Sequence, residues 1–120
     1  MNVYMQADFD ALTRDDNGFL YVPTGDWSNV NFGGASHIAF AKHCKLGNYC
    51  KLGDYCILGD YCTLGGYCIL GDYCTLGNYC KLGDGCKLGD GCKLGDGCKL
   101  WGWLQTVGMA VRSKTAKCEM

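Results

Sequence analysis

Residues 44–98 read CKLGNY CKLGDY CILGDY CTLGGY CILGDY CTLGNY CKLGDG CKLGDG CKLGDG C, with ten cysteines set six residues apart from Cys44 to Cys98 and a leucine two residues after each. A fixed short period means identical units that cannot bury a face alone and must stack on one another. In an extended chain, residues i and i+2 share a face, so Cys and Leu point inward while the Lys, Ile or Thr between them points outward. Only Asn, Asp or Gly follows the repeat glycine, from Asn48 to Asp96. These residues tolerate positive φ best, so the chain is expected to turn there. Two inward residues and a turn, taken three times, close a triangular coil of about eighteen residues whose neighbours stack as parallel β-ladders.

The register also runs backward. Steps of six from Leu46 reach Phe40 and Gly34, and from Cys44 they reach Ile38 and Phe32. The chain therefore divides into an N-terminal cap over 1–29, a solenoid over 30–104 and a C-terminal cap or tail over 105–120, with Trp101, Gly102 and Trp103 breaking the unit. Such caps cover the open ladder ends that a solenoid leaves. Within the first cap, residues 7–14 are expected to form a short helix, Asp16-Asn17-Gly18 a turn and residues 19–22 a strand. Trp27, Trp101 and Trp103 read as lids over the core.

Leu46-Gly47-Asn48-Tyr49-Cys50-Lys51 resembles the unit of hexapeptide-repeat proteins, in which an aliphatic residue is followed by Gly, two variable residues, a small residue and one more. The resemblance implies an all-β fold, the left-handed parallel β-helix with triangular coils. The hand comes from the resemblance alone, since parallel crossovers are usually right-handed.

With 120 residues and a net charge of −1, the chain is one small domain with no electrostatic case for nucleic acid or an anionic membrane. It starts without a basic, apolar leader and has no run of about eighteen apolar residues, so a cytoplasmic location is expected. Eleven cysteines, an odd number, in uniform spacing fit core thiols better than a disulfide framework. No metal is expected, because zinc sites use close pairs such as C-x₂-C and none occurs. Stacked Asp54, Asp72 and Asp90 invite calcium, but single turn aspartates alternating with lysines read more simply as solvated.

Information must then lie on the outside. The residue before each cysteine is His37, His43, then Tyr49, Tyr55, Tyr61, Tyr67, Tyr73 and Tyr79, then Gly85, Gly91 and Gly97. Ile57, Thr63, Ile69 and Thr75, with Tyr61, Tyr67, Tyr73 and Tyr79, make an apolar and aromatic belt around the middle coils, whereas the last coil offers only Lys, Asp and Gly. The belt reads as an interface, for a protein partner or for self-association into a homo-oligomer. The competing reading is β-propensity and ring stacking along a ladder, which needs no partner.

Many hexapeptide-repeat proteins are trimeric acyltransferases that use acetyl-CoA with a histidine base, and here the resemblance offers only His37 and His43 for that role. Their periodic placement makes them ladder members, and no loop leaves the coils between Cys44 and Leu100, so the expected function is non-catalytic binding through the outer faces, without a cofactor. The Cys-rich repeat with its lead-in Ala35-Ser36-His37-Ile38-Ala39-Phe40 also resembles small hexapeptide proteins of bacteriophages and prophages. That resemblance implies an inhibitor of a host defence factor, acting in the host cytoplasm.

Overall fold

In the computed structural model, the backbone is described for residues 1–101, 105–106, 111–112 and 117–119 and the side chains for residues 1–99. A short helix α1 (Gln6–Asp10) precedes sixteen strands: β1 (Leu20–Val22), β2 (Asp26–Trp27), β3 (Ile38–Phe40), β4 (Lys45–Leu46), β5 (Lys51–Leu52), β6 (Ile57–Leu58), β7 (Thr63–Leu64), β8 (Ile69–Leu70), β9 (Thr75–Leu76), β10 (Lys81–Leu82), β11 (Lys87–Leu88), β12 (Lys93–Leu94), β13 (Lys99–Trp101), β14 (Gln105–Thr106), β15 (Val111–Arg112) and β16 (Lys117–Glu119). They form three parallel sheets, ordered β1-β3-β6-β9-β12-β15, β2-β4-β7-β10-β13-β16 and β5-β8-β11-β14. Within the repeat every rung pairs residues eighteen apart, such as Ile57 with Thr75 and Lys51 with Ile69. The molecule is thus an all-β parallel solenoid with three sides. Strand pairing runs on past Leu104, with Lys87 opposite Gln105, Lys93 opposite Val111 and Lys99 opposite Lys117, so the six-residue period persists where the Cys-Leu signature is gone. Among the described residues no helix is long and apolar enough to cross a membrane.

Every repeat cysteine from Cys44 to Cys98 is buried with a free thiol, and so is every repeat leucine from Leu46 to Leu94. Each buried leucine contributes roughly 1.5–3 kcal/mol. The thiols also bond to the coil below. Sγ of Cys68, Cys74, Cys80, Cys86, Cys92 and Cys98 donates at 3.2–3.3 Å to the glycine carbonyl twenty-one residues earlier. Toward the N-terminal end the column changes from thiols to rings: Phe32 packs edge-on against Phe40 and Phe9 against Phe32, and Tyr4 stacks at 4.1 Å on buried Trp27, whose Nε1 donates to the Pro23 carbonyl. Trp27 is a lid, as its place before the repeat suggests. The side chains of Trp101, Trp103 and Cys118 lie outside the described residues.

The turns differ from the sequence expectation. Positive φ falls not on the Asn or Asp after the repeat glycine but one residue later, on His37, His43 and the six tyrosines from Tyr49 to Tyr79 at 56–62°, and on Gly85, Gly91 and Gly97 at 70–74°. The Asn and Asp serve the ladder instead. Oδ1 of Asn48, Asp54, Asp60, Asp72 and Asn78 accepts at 2.8–2.9 Å from the backbone N–H eighteen residues later. These rungs join coil to coil on the outside, as the thiols do within. They also occupy an oxygen of each of the stacked Asp54 and Asp72 that had suggested calcium.

One rung is missing. Gly66 takes the Asn/Asp position and brings no acceptor to the coil above. Its φ is not in the left-handed region, and a Cβ there would stand 3.2 Å from the Asp84 carbonyl, a fit that needs only a small shift. Gly66→Asn is therefore expected to add the rung to the Asp84 N–H and stabilise the fold by about 1 kcal/mol, since a hydrogen bond and reduced chain entropy act together. Thermal unfolding measures it, and a lower midpoint than the parent's would refute the rung's role.

Candidate interaction surface

The rung pairing sorts the outward residues into three columns. The first face carries Tyr21, Ala39, Ile57, Thr75 and Lys93 in order. The second carries Asp26, Lys45, Thr63, Lys81 and Lys99. The third carries Lys51, Ile69 and Lys87. Lysine stands on both sides of Thr63 on the second face and of Ile69 on the third, whereas the first has no charged strand residue from Tyr21 to Thr75.

Aromatic columns stand at the corners. His37, Tyr55 and Tyr73 stack with ring centroids 5.2–5.4 Å apart, His43, Tyr61 and Tyr79 at 5.0–5.2 Å, and Tyr49 with Tyr67 at 5.3 Å. The first two columns border the first face, because Tyr55 precedes β6 and Tyr61 follows it. At the top of each column the last tyrosine leans over a glycine: a Cβ on Gly85 would meet Tyr67 Cδ1 at 2.6 Å, and Gly91 and Gly97 stand likewise against Tyr73 and Tyr79. The rings remain open to solvent, with Tyr55, Tyr61, Tyr73 and Tyr79 48–55% exposed and Ile57 42% exposed.

The belt residues do not share one face. Ile57 and Thr75 are rung neighbours on the first, Thr63 lies on the second and Ile69 on the third, while Tyr61 and Tyr79 share one corner, Tyr73 stands at another and Tyr67 at the last. The belt encircles the prism because consecutive units occupy consecutive sides. What the structure does bring together is Ile57 and Thr75 with Ala39 and Tyr21 in one column of rungs, and at its lower end Tyr21 and Ala39, with Val22, Pro23, Phe40 and Ala41, line a shallow apolar depression. Tyr21 and Ala39 precede the perfect repeat, and the signal for them is two eighteen-residue steps back from Ile57. Asp15 stands beside Tyr21, and its hydrogen bond holds the Tyr21 phenol above the usual tyrosine range.

His37 and His43 sit in different corner columns. His37 Nδ1 is 3.0 Å from Ser36 Oγ, its ring packs edge-on against Phe19 at 5.2 Å and it stacks on Tyr55, while His43 lies nearly parallel to Tyr61 at 9°. Both occupy the same left-handed backbone position as the tyrosines. Among the described residues no carboxylate joins either one to orient it as a base. Among the described residues no three His, Cys, Asp or Glu side chains converge as metal ligands would.

The family model for the bacterial transferase hexapeptide, with six repeats, matches residues 67–102. Those residues hold the units from Tyr67 to the end of the Cys-Leu signature. No curated protein and no solved structure matches the chain.

Proposed function

We propose that this chain, a hexapeptide-repeat β-solenoid, is a non-catalytic binding protein whose working surface is the first face, Tyr21, Ala39, Ile57 and Thr75 between the corner columns of Tyr55 with Tyr73 and Tyr61 with Tyr79. The observation that carries this reading lies in the turns. Left-handed backbone costs a residue with a Cβ about 1 kcal/mol that glycine avoids. Gly85, Gly91 and Gly97 make the same turn in the same chain, so the coil does not need a ring there. Stacking at 5.0–5.4 Å returns part of the cost, on the order of 0.5–1 kcal/mol per pair. The rings stand at all three corners, and only the first face between them has no charged strand residue from Tyr21 to Thr75. Exposed tyrosine around an aliphatic centre is the composition of a protein-binding surface.

The family description also names transferases, and the same chain can be tested for that chemistry. Calorimetry with acetyl-CoA is expected to show no micromolar binding. Capture of a partner from bacterial lysate, searched first among host-defence proteins as the resemblance to bacteriophage proteins directs, is expected to be lost in Ile57→Lys with Thr75→Lys and kept in Ile69→Lys on the third face. A buried aliphatic anchor is worth about 2 kcal/mol or more, roughly thirty-fold in affinity. Acetyl-CoA binding that disappears in His37→Ala or His43→Ala would replace this reading with an acyltransferase.

A further inference from the structure

The first face is self-complementary, and we propose that its occupant is a second copy of this chain, turned end for end about a two-fold axis that lies in the interface, along the strands, over Ile57. This rests on the reading of the first face as the working surface, and it names what covers that surface.

The column Tyr21, Ala39, Ile57, Thr75, Lys93 has Ile57 at its middle, with rungs about 4.8 Å apart. The two-fold places Ile57 on its own copy, Ala39 on the partner's Thr75 and Tyr21 on the partner's Lys93. The two ends are opposite in character. One carries Tyr21 with the Asp15 carboxylate beside it, the other a lone ammonium, so the outer rungs join by cation–π and charge attraction twice over. The borders agree. Phe19, His37, Tyr55, Tyr73 and Gly91 follow one corner upward, so the same rotation sets Tyr55 against its own copy and His37 against the partner's Tyr73.

The other simple pairings set the lysines of the strand rungs against one another. Copies aligned in the same direction on the first face put Lys93 against the partner's Lys93. End-for-end pairing on the second face, centred on Thr63, sets Lys45 against the partner's Lys81, and on the third, centred on Ile69, Lys51 against the partner's Lys87. Like charges in an interface penalise those arrangements.

Five rungs and a side of about five residues give a flat patch of roughly 400 Å² per copy, which the protruding rings enlarge. That is small beside the ~800 Å² per partner of standard complexes, so a weak dimer is expected, with a dissociation constant set for the test at on the order of 10 µM.

The mass of the full chain, by light scattering across a concentration series, is expected to climb from 13.1 kDa toward twice that value. In a Cys118→Ser background, Ile57→Cys is expected to link to itself through a short thiol cross-linker. Thr75→Cys is expected to link only when mixed with Ala39→Cys. Ile57→Lys, counted in both copies, weakens the dimer by at least about thirty-fold, and Ile69→Lys leaves it unchanged. A chain that stays monomeric at ten times the expected constant overturns the proposal, and so does a dimer in which Thr75→Cys links to itself while Ile57→Cys does not. If the monomer still loses a bacterial partner on Ile57→Lys, the binding reading stands and the self-pairing falls. If Ile57→Lys changes neither mass nor capture, both fall.

Discussion

Raising the pH from 8 to about 10.5 unfolds this protein, reversibly under reducing conditions, far more steeply than a fold of its size with apolar aliphatic columns. The cause is the stacking of thiols. Hydrogen bonding to Cys56 and Cys92, and then burial, push the Cys74 thiol up; Cys62 and Cys98 do the same to Cys80, Cys68 to Cys86 and Cys62 to Cys44, and Cys50 raises Cys68 to about 11. The other five repeat thiols, Cys50, Cys56, Cys62, Cys92 and Cys98, are pulled the other way by their thiol neighbours in the column, and because their folded values lie below the unfolded one they add no loss of stability above about pH 9. For the five raised thiols the sign is plain. Below the unfolded value, near 8.5–9, both states hold the proton and the stabilisation is fully present; above it the unfolded chain ionises, the folded one does not, and stability falls with every unit until the folded value is passed. Five protons set a limit of about 7 kcal/mol per pH unit, and about half of that remains once partial ionisation and screening within the folded columns are allowed for. Two units then remove about 7 kcal/mol, which lies within the 5–15 kcal/mol that a small domain has in total and brings a fold near the lower end of that range to its unfolding point by about pH 10.5. Circular dichroism against pH measures it, with a bulky thiol reagent as companion: few thiols react at pH 7, and the repeat thiols react together as the spectrum collapses. Cys44→Ser, Cys74→Ser, Cys80→Ser and Cys86→Ser together keep hydrogen-bonding groups that do not ionise, remove four of the five raised thiols and are expected to flatten the slope. A transition that is equally shallow in both proteins, or thiols that label freely at pH 7, would show that the columns are not closed.

The coil was legible because a strict period carries its own geometry. Cys and Leu two apart must share a face, and three six-residue units return to the starting side, which the pairing of Ile57 with Thr75 repeats rung after rung. The turn was not, since what holds it is long-range. Nothing near Asp54 in the sequence shows that its carboxylate will accept from the N–H of Asp72, and the choice of which turn residue goes left-handed follows from that bond. The candidate surface was half legible. Ile57 and Ile69 read as one apolar stretch, yet twelve residues are two-thirds of a coil, so they face different ways. Tyr21 and Ala39 share the face of Ile57 but stand where the repeat has already lost its signature. Past Leu100 the period survives in strand pairing alone, with Gln105, Val111 and Lys117 at the outward register positions where lysine stood.

Gly83→Ala is expected to lower the unfolding midpoint by about 10 °C or more, although it adds one methyl group at a position that is not left-handed. The glycine that follows each leucine is there for space. A Cβ on Gly83 would stand 2.7 Å from the Gly65 carbonyl carbon and the Gly66 nitrogen and 2.9 Å from the Gly65 oxygen, all of them backbone of the coil beneath. Side chains struck by an added methyl can change rotamer, but backbone cannot. Here it is held in place, because the Gly83 N–H donates to the Leu64 carbonyl and the Gly66 N–H to Asn48 Oδ1 in the coil below that. Relief requires spreading two coils, which stretches ladder bonds and the contacts between Leu64 and Leu82 on the same rung. Overpacking costs about 1–3 kcal/mol in cores that can adjust, and a clash with pinned backbone belongs at or above the top of that range. For a chain of this size each kcal/mol moves the midpoint by about 3–6 °C. Gly33→Ala separates space from backbone freedom. Gly33 has a φ of 64° and nothing within 4 Å of an added Cβ, so its cost is the left-handed penalty of about 1 kcal/mol and no more. If the two substitutions lower the midpoint equally, the coils are looser than 2.7 Å approaches allow, and the repeat glycine is kept for its flexibility rather than for the closeness of its neighbour.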